Sequence, residues 1–103
     1  MHTIGPLRVD LEAHCVFVGA HEVHVSATEM RLLAYLIAHR GQVRSSGELL
    51  ANVWGYKAGT ETRTIQTHVM RLRNKLGSAG KLIETVRGAG YRLSDAHPPS
   101  THD

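Results

Sequence analysis

The sequence predicts an α+β fold in which a meander of short antiparallel strands is followed by three helices and a closing β-hairpin. Three observations predict it. The first 25 residues place apolar side chains in short alternating runs, Leu7/Val9/Leu11, Cys15/Phe17 and Val23/Val25, broken at Gly5-Pro6, Glu12-Ala13 and Gly19-Ala20. From Ser26 to Gly77 the apolar spacing becomes helical, with two Ser-x-x-Glu capping signatures. LIETVRGAGYRL, residues 82–93, then sets two β-prone runs either side of Arg87-Gly88-Ala89-Gly90, where glycine permits positive φ.

Each helix has its own start and stop. SATE makes Ser26 the N-cap and Glu29 the third helical residue of a helix over about 27–39, with Met30, Leu33, Leu36 and Ile37 on its apolar face and Gly41 beyond its end. SSGE, residues 45–48, opens a second, short helix that carries Leu49, Leu50, Val53 and Trp54 as far as Gly55. GYKAGTET, residues 55–62, is rich in turn formers and is expected to be an exposed loop, with Thr60 or Thr62 capping the third helix. In that helix, residues 63–76, Ile65, Val69, Leu72 and Leu76 stay within about 40° of one line. That line is the predicted buried face. Residues 1–93 are expected to form one domain and 94–103 a disordered tail.

The net charge of +3 is unevenly spread. Residues 1–60 balance five Lys/Arg against five Asp/Glu, whereas residues 61–93 hold seven Lys/Arg against Glu61 and Glu84 alone. The third helix carries Arg63, Arg71, Arg73 and Lys75 with no acid of its own for i,i+4 pairing. Arg63, Thr67, Met70 and Asn74 project opposite its apolar line, flanked by Gln66, Arg73 and Arg71. A basic patch confined to one helix and the hairpin after it is the footprint of an anion-binding surface.

Other chemistries are poorly supplied. No Ser/His/Asp arrangement, carboxylate pair or Gly-rich phosphate loop opening a helix is present, so no enzyme is predicted. Eight histidines raise the question of a metal, but HEVH at 21–24 lacks i,i+4 spacing and falls in a predicted strand, where positions three apart face opposite sides. No metal and no cofactor are expected. The single cysteine, Cys15, cannot form an internal disulfide and suits a reducing compartment. No apolar run approaches the ~20 residues that span a bilayer, and no signal peptide opens the chain. A cytoplasmic, nucleoid-associated protein is expected.

Strands, three helices and a hairpin in this order are those of a winged helix-turn-helix with an N-terminal sheet, whose third helix enters the DNA major groove while the hairpin, the wing, reaches an adjacent groove or backbone. VSATEMRLLAYLIAHRGQVRSSGELLANVWGY, TRTIQTHVMRLRNKLG and ETVRGAGYRL together closely resemble the effector domain of OmpR/PhoB-type response regulators. The resemblance covers about residues 4–93. It implies binding to double-stranded promoter DNA, commonly as two copies head-to-tail on direct repeats from a free monomer, in a bacterial two-component system. It also implies that the loop before the recognition helix, Tyr56, Lys57, Ala58, Gly59 and Thr60, contacts RNA polymerase.

Matched by position, the resemblance implies base or groove contacts by Arg71 and Arg87 and phosphate contacts by Arg63, His68, Arg73, Thr85 and Tyr91, with Trp54 near the DNA backbone. Arginine forks suit guanine and phosphate, and hydroxyls suit phosphate oxygens. His68 lies about 60° off the apolar line and also suits packing beside the core. Met70 stands where many relatives place arginine and suits a thymine methyl, while Gln66 suits adenine and Thr67 lies beside them on the same outer face. The rival is a protein-interaction module of this fold that docks an acidic partner or RNA polymerase without specific DNA binding. Cations on both helix and hairpin favour a duplex over it.

Overall fold

The computed structural model describes residues 1–55 and 63–94. Four strands come first: β1 (His2–Ile4), β2 (Leu7–Asp10), β3 (Cys15–Val18) and β4 (His21–Val23). They form the expected antiparallel meander, in the order β1-β2-β3-β4. Cross-strand pairing aligns Val9 with Val16 and Val23, and Leu7 with Ile4 and Val18. Facing residues share one side of a sheet, so this side is apolar apart from His2 and His21, and Ile4, Leu7, Val9 and Val16 are fully buried on it. The other side carries the row Thr3, Arg8, Phe17 and Glu22. There the Arg8 guanidinium lies 5.0 Å from the Phe17 ring centre.

Helix α1 (Ala27–Ala38) begins with a complete capping box: the Glu29 N–H donates to Ser26 Oγ at 3.1 Å, and the Ser26 N–H donates to Glu29 Oε1 at 2.9 Å. It buries the four expected apolar residues together with Leu32 and, unexpectedly, Glu29. Helix α2 (Ser46–Leu49) completes only half of its box. Ser45 Oγ accepts the Glu48 N–H at 3.1 Å, but the Glu48 carboxylate turns away to the Tyr35 hydroxyl and to Arg44 Nη1. Nor does α2 continue as an α-helix: Leu50–Trp54 form a π-helical turn that ends at Gly55 in the left-handed region. Leu49, Leu50 and Val53 are all buried along it.

Helix α3 (Arg63–Leu76) buries Ile65, Val69, Leu72 and Leu76, the line read from the sequence. A 3₁₀ segment, Gly77–Leu82, which the sequence reading did not anticipate, leads into strands β5 (Ile83–Val86) and β6 (Gly90–Leu93). They pair as the predicted hairpin, Ile83 opposite Leu93 and Val86 opposite Gly90. The hairpin is joined to the body by backbone. Arg44 N–H donates to the Tyr91 carbonyl at 2.8 Å, Tyr91 N–H returns to the Arg44 carbonyl at 2.9 Å, and Gly41 N–H donates to the Leu93 carbonyl at 2.8 Å. Ser94, assigned to the tail from sequence, is instead part of the fold, its N–H donating to the Leu82 carbonyl at 2.7 Å. The expected 56–60 contact loop, the Thr60 or Thr62 cap and the rest of the tail lie outside the described residues.

Candidate nucleic-acid interface

The buried line of α3 determines what the helix presents outward. With Ile65, Val69, Leu72 and Leu76 held in the core, Arg63, Gln66, Met70, Arg71 and Asn74 are all exposed, and Thr67 is half-buried among them. Beside this surface stands the β5–β6 hairpin with Arg87, Gly88 and Ala89 exposed at its turn. A groove of about 410 Å³ runs between the two, lined by Gln66 of α3, Ser46 of α2 and residues 85–91 of the hairpin. Ser46 went unnoticed in the sequence. The usable signal was the doubled serine of SSGE: Ser45 is consumed as the cap, which leaves Ser46 for the groove.

The two faces of the hairpin divide its chemistry. Thr85 faces Tyr91 and Glu84 faces Arg92 across the strands, so the hydroxyl pair and the charged pair lie on opposite sides. Arg92 donates to Glu84 at 2.7–2.8 Å, which neutralises the hairpin's one acid away from the groove. Tyr91 is only 6% exposed, so most of its ring belongs to the core even though the residue lines the groove. Gly90 has a φ of +145°, and a Cβ there would overlap the Arg44 carbonyl. The close backbone approach that pins the hairpin therefore requires glycine at this position.

The helix's four cations do different work, although α3 holds no acid of its own. Lys75 Nζ lies 2.8 Å from Glu29 Oε1 of α1. Arg73 Nε donates to the Ile83 carbonyl at 2.8 Å and its Nη2 to Thr85 Oγ1 at 2.7 Å, so this fork ties α3 to β5. Both partners lie outside the helix, beyond the reach of an i,i+4 rule. Arg63 and Arg71 remain exposed, and among the described residues no acid pairs with them or with Arg87.

His68 and Trp54 sit together at the edge of this surface. The indole meets the imidazole edge-on at 5.2 Å between ring centres, and both residues are half-buried. His68 Nδ1 lies 2.8 Å from the Thr64 carbonyl. A carbonyl only accepts, so Nδ1 carries the hydrogen. Nε2 is then the ring nitrogen left for another partner.

A family model described as "Transcriptional regulatory protein, C terminal" matches residues 20–93. The chain belongs to that family. This OmpR/PhoB-type domain is 42% identical over 91 residues to the phosphate regulon regulator PhoB of Rhizobium meliloti, covering 86% of this chain and 40% of that protein. It is 44% identical over 91 residues to CseB of Streptomyces coelicolor, covering 88% and 38%. The chain thus spans less than half the length of these curated relatives. The crystal structure of the Klebsiella pneumoniae RstA DNA-binding domain in complex with the RstA box is similar at a TM-score of 0.82 and 29% identity, over 91% of this chain and 96% of that one. Transcriptional regulators, not enzymes, define the family.

Proposed function

We propose that this domain binds double-stranded DNA sequence-specifically and thereby regulates transcription, with α3 in the major groove and the β5–β6 hairpin as a wing on an adjacent groove or backbone. The observation that carries it is the pairing of two separate cationic elements, Arg63 and Arg71 exposed on α3 and Arg87 exposed at the hairpin turn, with a groove between helix and hairpin that Gln66 and Arg87 line. A duplex presents phosphates on both sides of a groove and base edges between them. Arg71, Gln66 and Thr67 face the bases and Arg87 a groove, while Arg63, His68 and the hydroxyls of Thr85 and Tyr91 serve phosphates beside Trp54. Arg73 acts first as the tie that sets the angle between helix and wing. Similarity to the RstA domain, solved in complex with the RstA box, supports this assignment.

We extend the proposal to the domain's setting in a cytoplasmic, nucleoid-associated bacterial regulator. Free monomers bind direct repeats head-to-tail, and residues 56–60 approach RNA polymerase. Family membership supports these points. A head-to-tail contact uses different patches on each copy, so nothing requires a dimer off DNA.

Selection of duplexes from a random pool, followed by salt titration on the recovered site, tests the function. One enriched site is expected, with log affinity falling against log salt by roughly 0.9 per phosphate neutralised. A flat salt dependence with no enriched sequence would instead leave the protein-docking module as the function of this fold.

A further inference from the structure

We propose, building on DNA binding as assigned above, that Gln66 and Met70 together read one A·T base pair, Gln66 at the adenine edge and Met70 at the thymine methyl. Met70 is 61% exposed; among the described residues the only other large apolar side chain so exposed is Met1, at the chain's start. A lone exposed apolar residue needs no explanation by itself. Its setting supplies one here. The buried line of α3 is complete without Met70, and its exposed neighbours on the helix surface, Arg63, Gln66, Arg71 and Asn74, all offer hydrogen-bonding groups. On the floor of the major groove the one apolar feature among base edges is the thymine methyl. A flexible thioether chain in the middle of a groove-facing surface therefore has a single apolar match, one its polarisable sulfur and free rotors suit well.

Gln66 lies one turn earlier, at i−4, on the wall of the groove between helix and wing. Residues four apart on a helix have Cβ atoms about 5–6 Å apart, and side chains lean toward the N-terminus, so Met70 reaches over the turn that Gln66 occupies. A glutamine amide pairs bidentately with adenine N6 and N7, and the methyl of the partner thymine lies across the same edge of the pair. Neither residue supplies charge. Their contribution is discrimination, whereas Arg63, Arg71 and Arg87 supply attraction.

Single-atom changes in the DNA test this directly. On the site recovered by selection, each thymine is replaced in turn by deoxyuridine, which lacks only the methyl, and each adenine by 7-deazaadenine, which lacks the N7 acceptor. Wild-type binding is expected to weaken about fourfold at one thymine, the worth of one buried methyl, while Met70→Ala binds the two duplexes equally. The adenine paired with that thymine should be the one whose N7 matters to wild type and not to Gln66→Ala. Both side chains are exposed, so neither variant disturbs the core. The joint reading is overturned if Met70→Ala keeps the full methyl sensitivity, if no thymine is sensitive, or if the two sensitivities fall on different base pairs. A selected site with any of these results leaves DNA binding intact. Failure to select any site overturns the DNA-binding assignment and this inference together.

Discussion

Lys75 of the recognition helix and Glu29 of the first helix are joined 2.8 Å apart across 46 residues of sequence, through the same Oε1 that caps α1 by accepting the Ser26 N–H. One carboxylate oxygen thus starts one helix and positions another. Glu29 is only 3% exposed. Burial pushes its pKa up, but the Lys75 ammonium and the Ser26 N–H outweigh that and hold it below the ordinary value.

A carboxyl with a depressed folded-state pKa contributes stability that is present above the unfolded value, about 4.3 for glutamate. It is lost as pH falls through the lower folded value. Glu29→Gln keeps an acceptor for the cap but removes the charge, and because Lys75 is substantially exposed its cost at pH 7 is about 1 kcal/mol. Thermal melts from pH 7 to pH 3 should show the wild-type advantage shrinking below about pH 4 as the carboxylate protonates. A difference that stays constant over that range would remove the ion pair from the account.

Arg73 separates tie from contact. If its fork to Ile83 and Thr85 holds the wing, Arg73→Lys, which keeps the charge but loses the fork, should weaken duplex binding and cost about 1–2 kcal/mol of stability in urea unfolding. The salt slope should barely move. A slope reduced by about 1 in Arg73→Ala and restored in Arg73→Lys would make it a phosphate contact instead.

Arg71 is exposed on the outer face of α3. Arg71→Ala is expected to cost about 1–3 kcal/mol on the selected site and to relax preference at one base pair. Competition against single-base variants measures both effects. Equal loss on every sequence would reassign Arg71 to the backbone.

Gly88 and Gly90 both have positive φ, +76° and +145°, but only at Gly90 would a Cβ meet neighbouring backbone. Gly88→Ala should therefore cost about 1 kcal/mol, from conformation alone. Gly90→Ala adds an overlap with the Arg44 carbonyl and should cost about 3 kcal/mol or more. Urea denaturation of the two variants provides the comparison, and equal costs would mean the Arg44 segment yields freely.

What was legible in the sequence was what local rules govern. The period of Ile65, Val69, Leu72 and Leu76 located both faces of α3, and Ser26 and Ser45 marked helix starts, because capping and amphipathicity act within a few residues. What was not legible depends on partners distant in sequence. Glu29 looked like a capping residue and also proved to be a buried ion-pair partner. Arg73, matched to a phosphate contact, is also bonded to β5. Glu48 left its box for Tyr35 and Arg44, and the π-turn at Leu50–Trp54 follows from packing that no local signal announces. The contact roles of the outward residues came from resemblance and chemistry together, since exposure permits contact without naming the ligand.

The backbone exchange between Arg44 and Tyr91 has a consequence for redesign. A two-stranded hairpin is marginal alone, and this one is completed by the segment between α1 and α2, with Arg73 bracing its other strand. The wing is therefore not an interchangeable cassette. Grafting one from a relative to retarget the domain would have to preserve Thr85, Gly90 and the Tyr91 backbone as an invariant frame, leaving the exposed tip at Arg87 and Ala89 as the portion open to variation.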